Sequence, residues 1–404
     1  MKKRLWNKDF ILLLQGSSVS IIGDLMYSVA IGYWVYEKTG SSSLMGIMSS
    51  ISMFVTMFLS PFAGSIIDKC NRKWVMVGVD LIQSALMLTI GIFAYMNKLD
   101  VAGVLAVAVI AAFGSVFYSP ASSTLMLDII PRDDMVRGQS IFSGASSLIN
   151  TVGTAFSGVM VAFFGVPLIV IINGLSNLYS AISEMFINVP KTVHQGEVVT
   201  VKGLLTDYKH AIKTIFSDPC LKIFVPFMLI LNFLASGPST LMLPFMIEKG
   251  FTVDIYGYVM TVWTIAYLIC VVILGIVKLS PKARFWIMGI SFVTSEIFLV
   301  LAYLSNDVIS MCIFIFLGAF LNGAGNTIFS ASLMLALPEE NRGGILGFVQ
   351  SACTGGMALS AVVYGFLGDV FPMYLTFASG SLLTLIPMLY IFFHPRVKDF
   401  IVSH

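Results

Sequence analysis

Residues 64–73 read GSIIDKCNRK, a turn carrying four charged side chains, Asp68, Lys69, Arg72 and Lys73, between two apolar runs at 43–67 and 74–96. A helix that crosses a bilayer needs about 20 mainly apolar residues. Both flanking runs meet that length, so the stretch reads as a short loop at a membrane face. The composition agrees: of 404 residues 57% are hydrophobic and 11% charged, against about 25% charged in soluble domains.

Working outward from this loop and cutting at charged or Gly/Pro-rich turns yields twelve expected spans. They are 10–36, 43–67, 74–96, 101–127, 139–163, 166–188, 222–247, 255–277, 284–304, 308–336, 344–368 and 372–394. Only Gly165-Val166-Pro167 separates the fifth from the sixth. The chain is therefore expected to be an all-α membrane protein. Positive residues accumulate in cytoplasmic loops. With both termini placed inside, all of the 23 lysines and arginines except Lys38, Lys98 and Lys249 fall on the inner side. The apolar run after Met1–Lys8 is too long for a signal peptide and reads as a retained first helix.

The longest hydrophilic stretch follows six spans and precedes six more. It divides the chain into an N-terminal bundle, 1–190, a linker, 191–221, and a C-terminal bundle, 222–404. Leu204, Leu205, Tyr208, Ala211, Ile212, Ile215 and Phe216 recur in the linker at helical spacing, which predicts an amphipathic helix at the inner membrane face. The halves echo each other. Gly275 to Arg284 stands where 64–73 stands in the first half, and Leu337-Pro338-Glu339-Glu340 answers Ile130-Pro131-Arg132-Asp133. Paired six-helix repeats are a transporter plan.

The pattern of Gly64, Asp68, Lys69, Arg72 and Lys73 resembles the signature between the second and third helices of the major facilitator superfamily, with Asn71 where a second glycine is usual. Further stretches are similar to the branch holding macrolide-efflux proteins and the enterobactin exporter. They are Ser20-Ile-Ile-Gly23-Asp24, Phe117-Tyr118-Ser119-Pro120-Ala121, Asp218-Pro219 and Pro338-Glu339-Glu340-Asn341-Arg342-Gly343. The fifth span, Gly153 to Gly158, lacks the proline that related drug antiporters carry. The resemblance implies two six-helix bundles with both termini cytoplasmic in the bacterial plasma membrane. It also implies export of an amphipathic small molecule, macrolide-like or siderophore-like, by proton antiport. The alternatives are an uptake or facilitative permease of the same fold, or a transport-inactive sensor or scaffold.

Charged groups inside a bilayer cost several kcal/mol and are functional candidates. Asp24 lies near the middle of the first span among apolar and small polar neighbours, and a carboxyl placed there is a candidate for binding and releasing a proton. Glu296, midway along the ninth span, is the second proton-coupling candidate, although the resemblance places that helix at the periphery. Asp80 and Glu184 sit nearer inner helix ends and are expected to pair structurally with loop arginines. Gly64, Asp68, Arg72, Lys73 and Asp128 are expected to form a conformational latch. In it Asp68 faces the amino terminus of the eleventh helix, and Arg72 or Lys73 pairs with Asp128. Met26, Tyr27, Tyr118, Asn150, Asn232, Met242 and Asn322 are the candidate cavity walls, and Gly144, Gly153, Gly158, Gly347, Ser351, Gly355, Gly356 and Ser360 read as packing surfaces.

Other chemistry finds no support in the sequence. It holds no phosphate-binding glycine loop, zinc-spaced histidine pair or nucleophile elbow, and its five cysteines lack metal-type spacing. The chain is expected not to be an enzyme and to need no cofactor. The expected partners are a small-molecule substrate, protons and the lipid bilayer; nucleic acid is not expected, and a monomer is.

Overall fold

The computed structural model describes residues 5–67, 70–131, 134–189, 206, 209, 212–277, 279–336 and 342–403. No strand occurs among them, and eleven helices are long and apolar enough to cross a membrane. The chain forms two compact units, Met1–Gly40 with Ile51–Thr200 and Ser41–Ser50 with Val201–His404. Helix α2 runs through both.

The first unit holds α1 (Lys8–Thr39), the greater part of α2 (Ser42–Ile67), α3 (Arg72–Tyr95), α4 (Val101–Ile129) and α5 (Met135–Met185). Local chemistry sets the ends. The Asn7 side chain accepts from the Phe10 amide at 2.9 Å, satisfying one of the amides a helix start leaves unpaired. Gly40 closes α1 at φ 62, its amide donating to the Tyr36 carbonyl. The expected fifth and sixth spans lie on α5, assigned as one helix but broken at Gly165, where φ is 72 and ψ 161. A side chain with a Cβ is strained at that φ. Pro167 then opens the second arm, where a missing amide proton costs nothing. α5 packs along α1 and α3. An apolar cluster including Phe10, Leu13, Met76, Leu125, Met126 and Ile129 fills one end of the unit.

The second unit holds α6 (Leu221–Thr240), α7 (Met242–Glu248), α8 (Val253–Ile276), α9 (Pro281–Leu304), α10 (Val308–Ala336), α11 (Arg342–Val370), α12 (Met373–Phe393) and α13 (Pro395–Ser403), with residues 41–50. The seventh expected span is not continuous. It breaks at Leu241, outside helical geometry at ψ 9, three residues after Pro238. At the same level Gly237 lies so close to the Tyr364 ring that an added Cβ would meet it at 2.2 Å. The core at the other end is aromatic: Phe227 meets Phe329 edge-on at 5.0 Å and Phe224 meets it at 5.5 Å, an arrangement favoured by the ring quadrupole. In the linker, residues 212–217 are helical. Most of the expected amphipathic helix, and the Pro338–Asn341 turn, lie outside the described residues.

Candidate functional site

The break at Leu241 opens room inside the second unit. A cavity of about 250 Å³ lies there, its walls including Met242, Met260, Trp263, Glu296, Tyr303 and Asn322. Three residues singled out in the sequence, Glu296, Met242 and Asn322, thus meet at one place although they come from α9, α7 and α10. α9 packs against α10 and α12, and Glu296 is only 5% exposed. Its carboxyl reaches the Ser381 hydroxyl of α12. The expectation that this helix is peripheral is therefore corrected at Glu296, which turns inward. A second hollow, lined by Phe245, Glu248, Lys249, Tyr303 and Tyr374 among others, lies beside the first, and Tyr303 borders both. Lys249 donates to the Ser305 carbonyl at 2.5 Å, and partial burial lowers the pKa of its ammonium below the ordinary lysine value.

The first unit carries a different arrangement, a polar seam between α1 and the second arm of α5. Ser20 Oγ donates to Asn177 Oδ1 at 2.7 Å, and Asn177 Nδ2 donates to Asn173 Oδ1 at 3.1 Å. Tyr118 from α4 donates to Glu184 Oε1 at 2.8 Å and shares a 3.0 Å hydrogen bond with Ser17. Gly23 permits the approach, since an added Cβ would lie 2.1 Å from Ser176 Oγ. Asp24, at mid-helix, reaches the side-chain amides of Asn173 and Asn177, small polar neighbours of the kind expected there. Asp80 and Glu184 differ from expectation. They are 2% and 0% exposed, and among the described residues no loop arginine forms an ion pair with either. Tyr118 accordingly belongs to this network. The signal was present in the sequence: Asn173, Ser176, Asn177, Ser180, Ser183 and Glu184 recur at spacings of three and four, one stripe of an otherwise apolar helix.

Of the expected latch, Asp68 lies outside the described residues, and of Gly64 only its place in α2 is described. Arg72 donates to Asp128 Oδ2 at 2.7 Å, both side chains 7% exposed. Both belong to the first unit, so this pair fastens α3 to α4 and does not by itself hold two halves together. Lys73 takes a different partner, the Met185 carbonyl at 2.7 Å. A clasp the sequence reading missed lies in the second unit. Asp369, in the last turn of α11, accepts from the Ser42 amide at 2.6 Å and the Ser41 hydroxyl at 2.9 Å, and from the hydroxyl and amide of Ser43. It caps α2 from another helix. Ser50 donates to the Ala358 carbonyl at 2.7 Å, and a Cβ on Gly46 would meet the Ala361 carbonyl oxygen at 2.2 Å.

The remaining wall candidates scatter. Met26 and Tyr27 are partly buried on α1. Asn150 donates to Ser146 and Asn232 to Met228, each one turn back along its own helix. None of the four borders the Glu296 cavity. Of the small residues read as packing surfaces, Gly153 abuts Leu25 and Ser360 donates to the Phe233 carbonyl. Around Gly144 and Gly356 an added Cβ meets no described atom within 4 Å, so these two do not mark close contacts.

Two bundled helical units in an apolar chain, one around a cavity with a single acid, define a multi-pass membrane transporter. A sequence profile of the Major Facilitator Superfamily matches residues 13–252 and 227–400, and the chain belongs to that superfamily. Its relatives include macrolide efflux protein A of Streptococcus pyogenes, 25% identical over 186 residues, 46% of each chain. The multidrug efflux pump Tap of Mycobacterium tuberculosis is 27% identical over 160 residues, 38% of each chain. These matches span less than half the length of either relative. Among solved structures, the nucleoside transporter NupG superposes with a TM-score of 0.71 at 13% identity, covering 94% of this chain and 97% of that one. An inward-facing bacterial homologue of the human lysosomal transporter Spinster gives 0.68 at 12%, covering 98% and 95%.

Proposed function

We propose that the chain is a secondary transporter of the bacterial plasma membrane that exports an amphipathic small molecule against proton influx by alternating access. In this reading it crosses the membrane twelve times with both termini cytoplasmic, as two six-helix bundles, 1–190 and 222–404, and works as a monomer. The observation that carries the substrate class is the cavity holding Glu296. One buried carboxyl among Trp263, Tyr303, Met242 and Met260 offers a polar anchor inside an apolar, polarisable wall. Its volume of about 250 Å³ falls just under the roughly 300–1,000 Å³ of drug-sized sites, enough for an apolar ring system with one charged or donating group. An unpaired buried carboxylate is costly, so Glu296 holds either a proton or the polar group of the ligand. That exclusion is the elementary step of antiport. Asp24, on α1 beside the amides of Asn173 and Asn177, is the proton-coupling acid of the first bundle. Export as the direction rests on the relatives named efflux proteins.

The test is accumulation of labelled erythromycin and of ethidium in cells with and without the chain, each with and without a protonophore. Accumulation is expected to fall when the chain is present and to recover with the protonophore. Lowered accumulation that a protonophore leaves unchanged would remove proton coupling; raised accumulation would make the chain an uptake permease.

A further inference from the structure

The proposed mechanism uses Glu296 and Asp24 and leaves the two least exposed acids among the described residues, Asp80 and Glu184, without a task. They come from α3 and α5 and act electrostatically on each other. Glu184 accepts from Tyr118 through Oε1. Its other oxygen Oε2 and Asp80 Oδ2 have no hydrogen-bond partner among the described residues. Ser180 is fully buried and faces Asp80.

The charged and titratable groups around the pair are few. α4 presents Tyr118 and α1 presents Asp24, whose charge is felt at Asp80. On α3, Arg72 is engaged by Asp128 and Lys73 by the Met185 carbonyl at the end of α5. No cation among the described residues forms an ion pair with either acid. Two carboxylates buried without counter-charge would each carry a large desolvation penalty, and they would repel one another.

We infer that Asp80 and Glu184 form a two-carboxyl site that binds one exchangeable proton, with Tyr118 linking it to Ser17 on α1. A proton arriving at one carboxylate forms an O–H bond and removes one of the two negative charges. The added O–H also places a donor beside oxygens, Asp80 Oδ2 and Glu184 Oε2, that have none among the described residues. The proton leaves by the reverse step, and no other bond changes. The packing selects so small a ligand. At this level of α1 a Cβ on Gly16 would already lie 3.3 Å from Ser180 Oγ and 3.4 Å from Ser183 Cβ, so the seam has no room for a drug-sized molecule. No three His, Cys, Asp or Glu side chains meet among the described residues, so the pair lacks the ligand set of a transition-metal centre.

The direction in which this proton moves rests on the proposed antiport, but the site is testable without it. Infrared difference spectra of the purified full chain in detergent, taken through a pH series, report the C=O stretch of each protonated carboxyl. Wild type is expected to show a titrating carboxyl band that shifts by at least about one pH unit or disappears in both Asp80→Asn and Glu184→Gln, because each acid senses the other. The band should persist in Glu296→Gln, and Tyr118→Phe should move its frequency. A band unaffected by Asp80→Asn and Glu184→Gln would overturn the proposal. So would its removal at fixed pH by replacing choline chloride with sodium chloride, which would make the site a sodium site. If the band behaves as expected and erythromycin accumulation ignores the protonophore, the site stands and the proton-antiport part of the proposed function falls.

Discussion

The two units bury acids in opposite ways. In the second, Glu296 stands alone at the wall of a cavity, surrounded by methionine and aromatic side chains. In the first, Asp80 and Glu184 are sealed in a seam where helices touch through glycine and serine. The difference teaches what each can bind. In the proposed mechanism a carboxyl with space beside it takes a molecule, while a pair without space takes only a proton. On that reading the lone and paired acids divide substrate recognition from proton storage.

The comparison can be broken most severely by disturbing the charge pair that braces the first unit. Arg72 and Asp128 are both nearly buried, and removing one partner of such a pair costs about 3–5 kcal/mol because the other is left unpaired. Arg72→Ala is expected to lower the unfolding temperature in detergent strongly, and Arg72→Met with Asp128→Leu to lower it less. Equal losses in both would show that the pair is not the brace.

Next in size, Glu184→Gln is expected to reduce proton-driven ethidium efflux from cells by more than about tenfold, a change of about 1.4 kcal/mol or more in the coupled step, while ethidium binding to the purified protein stays unchanged. A matching loss of binding would erase the division of labour. Conversely, Glu296→Gln is expected to weaken binding of ethidium, a cation, by about tenfold, and to leave binding of a neutral amphipathic dye within about threefold. Equal weakening for both would mean that Glu296 shapes the cavity without recognising charge.

The smallest effect concerns the Asp369 clasp. Losing a helix-capping side chain costs about 1 kcal/mol. Asp369→Ala is expected to shift the conformational balance by that amount, read as faster labelling of a cysteine placed at Ser43, with Gly46→Ala acting in the same direction through its clash with the Ala361 carbonyl. Unchanged labelling in both would remove the clasp as a moving part.

Much of the fold was legible because apolar length is a one-dimensional signal. The spans and the weak cut at Gly165 could be read along the chain, and Glu296 stood out as an acid in an apolar run, but its inward turn could not be read because it depends on packing by α10 and α12. The break at Leu241 was hidden because Pro238 is tolerated within a membrane helix until the neighbouring Tyr364 ring is placed against Gly237. The Asp369 clasp joins residues 327 positions apart, which no local pattern reports. The acid pair was misread for a subtler reason. Nearness to a helix end suggested water and arginines, but burial depends on packing by α1 and α4. The stripe from Asn173 to Glu184 would have shown that α5 turns a polar face inward.

The most direct measurement is proton uptake into liposomes holding the purified full chain, driven by an outward ethidium gradient and read with a trapped pH dye, in wild type and Glu184→Gln. The account predicts ethidium-dependent proton flux in wild type and its loss in Glu184→Gln with ethidium binding retained. Equal flux in both proteins would contradict it.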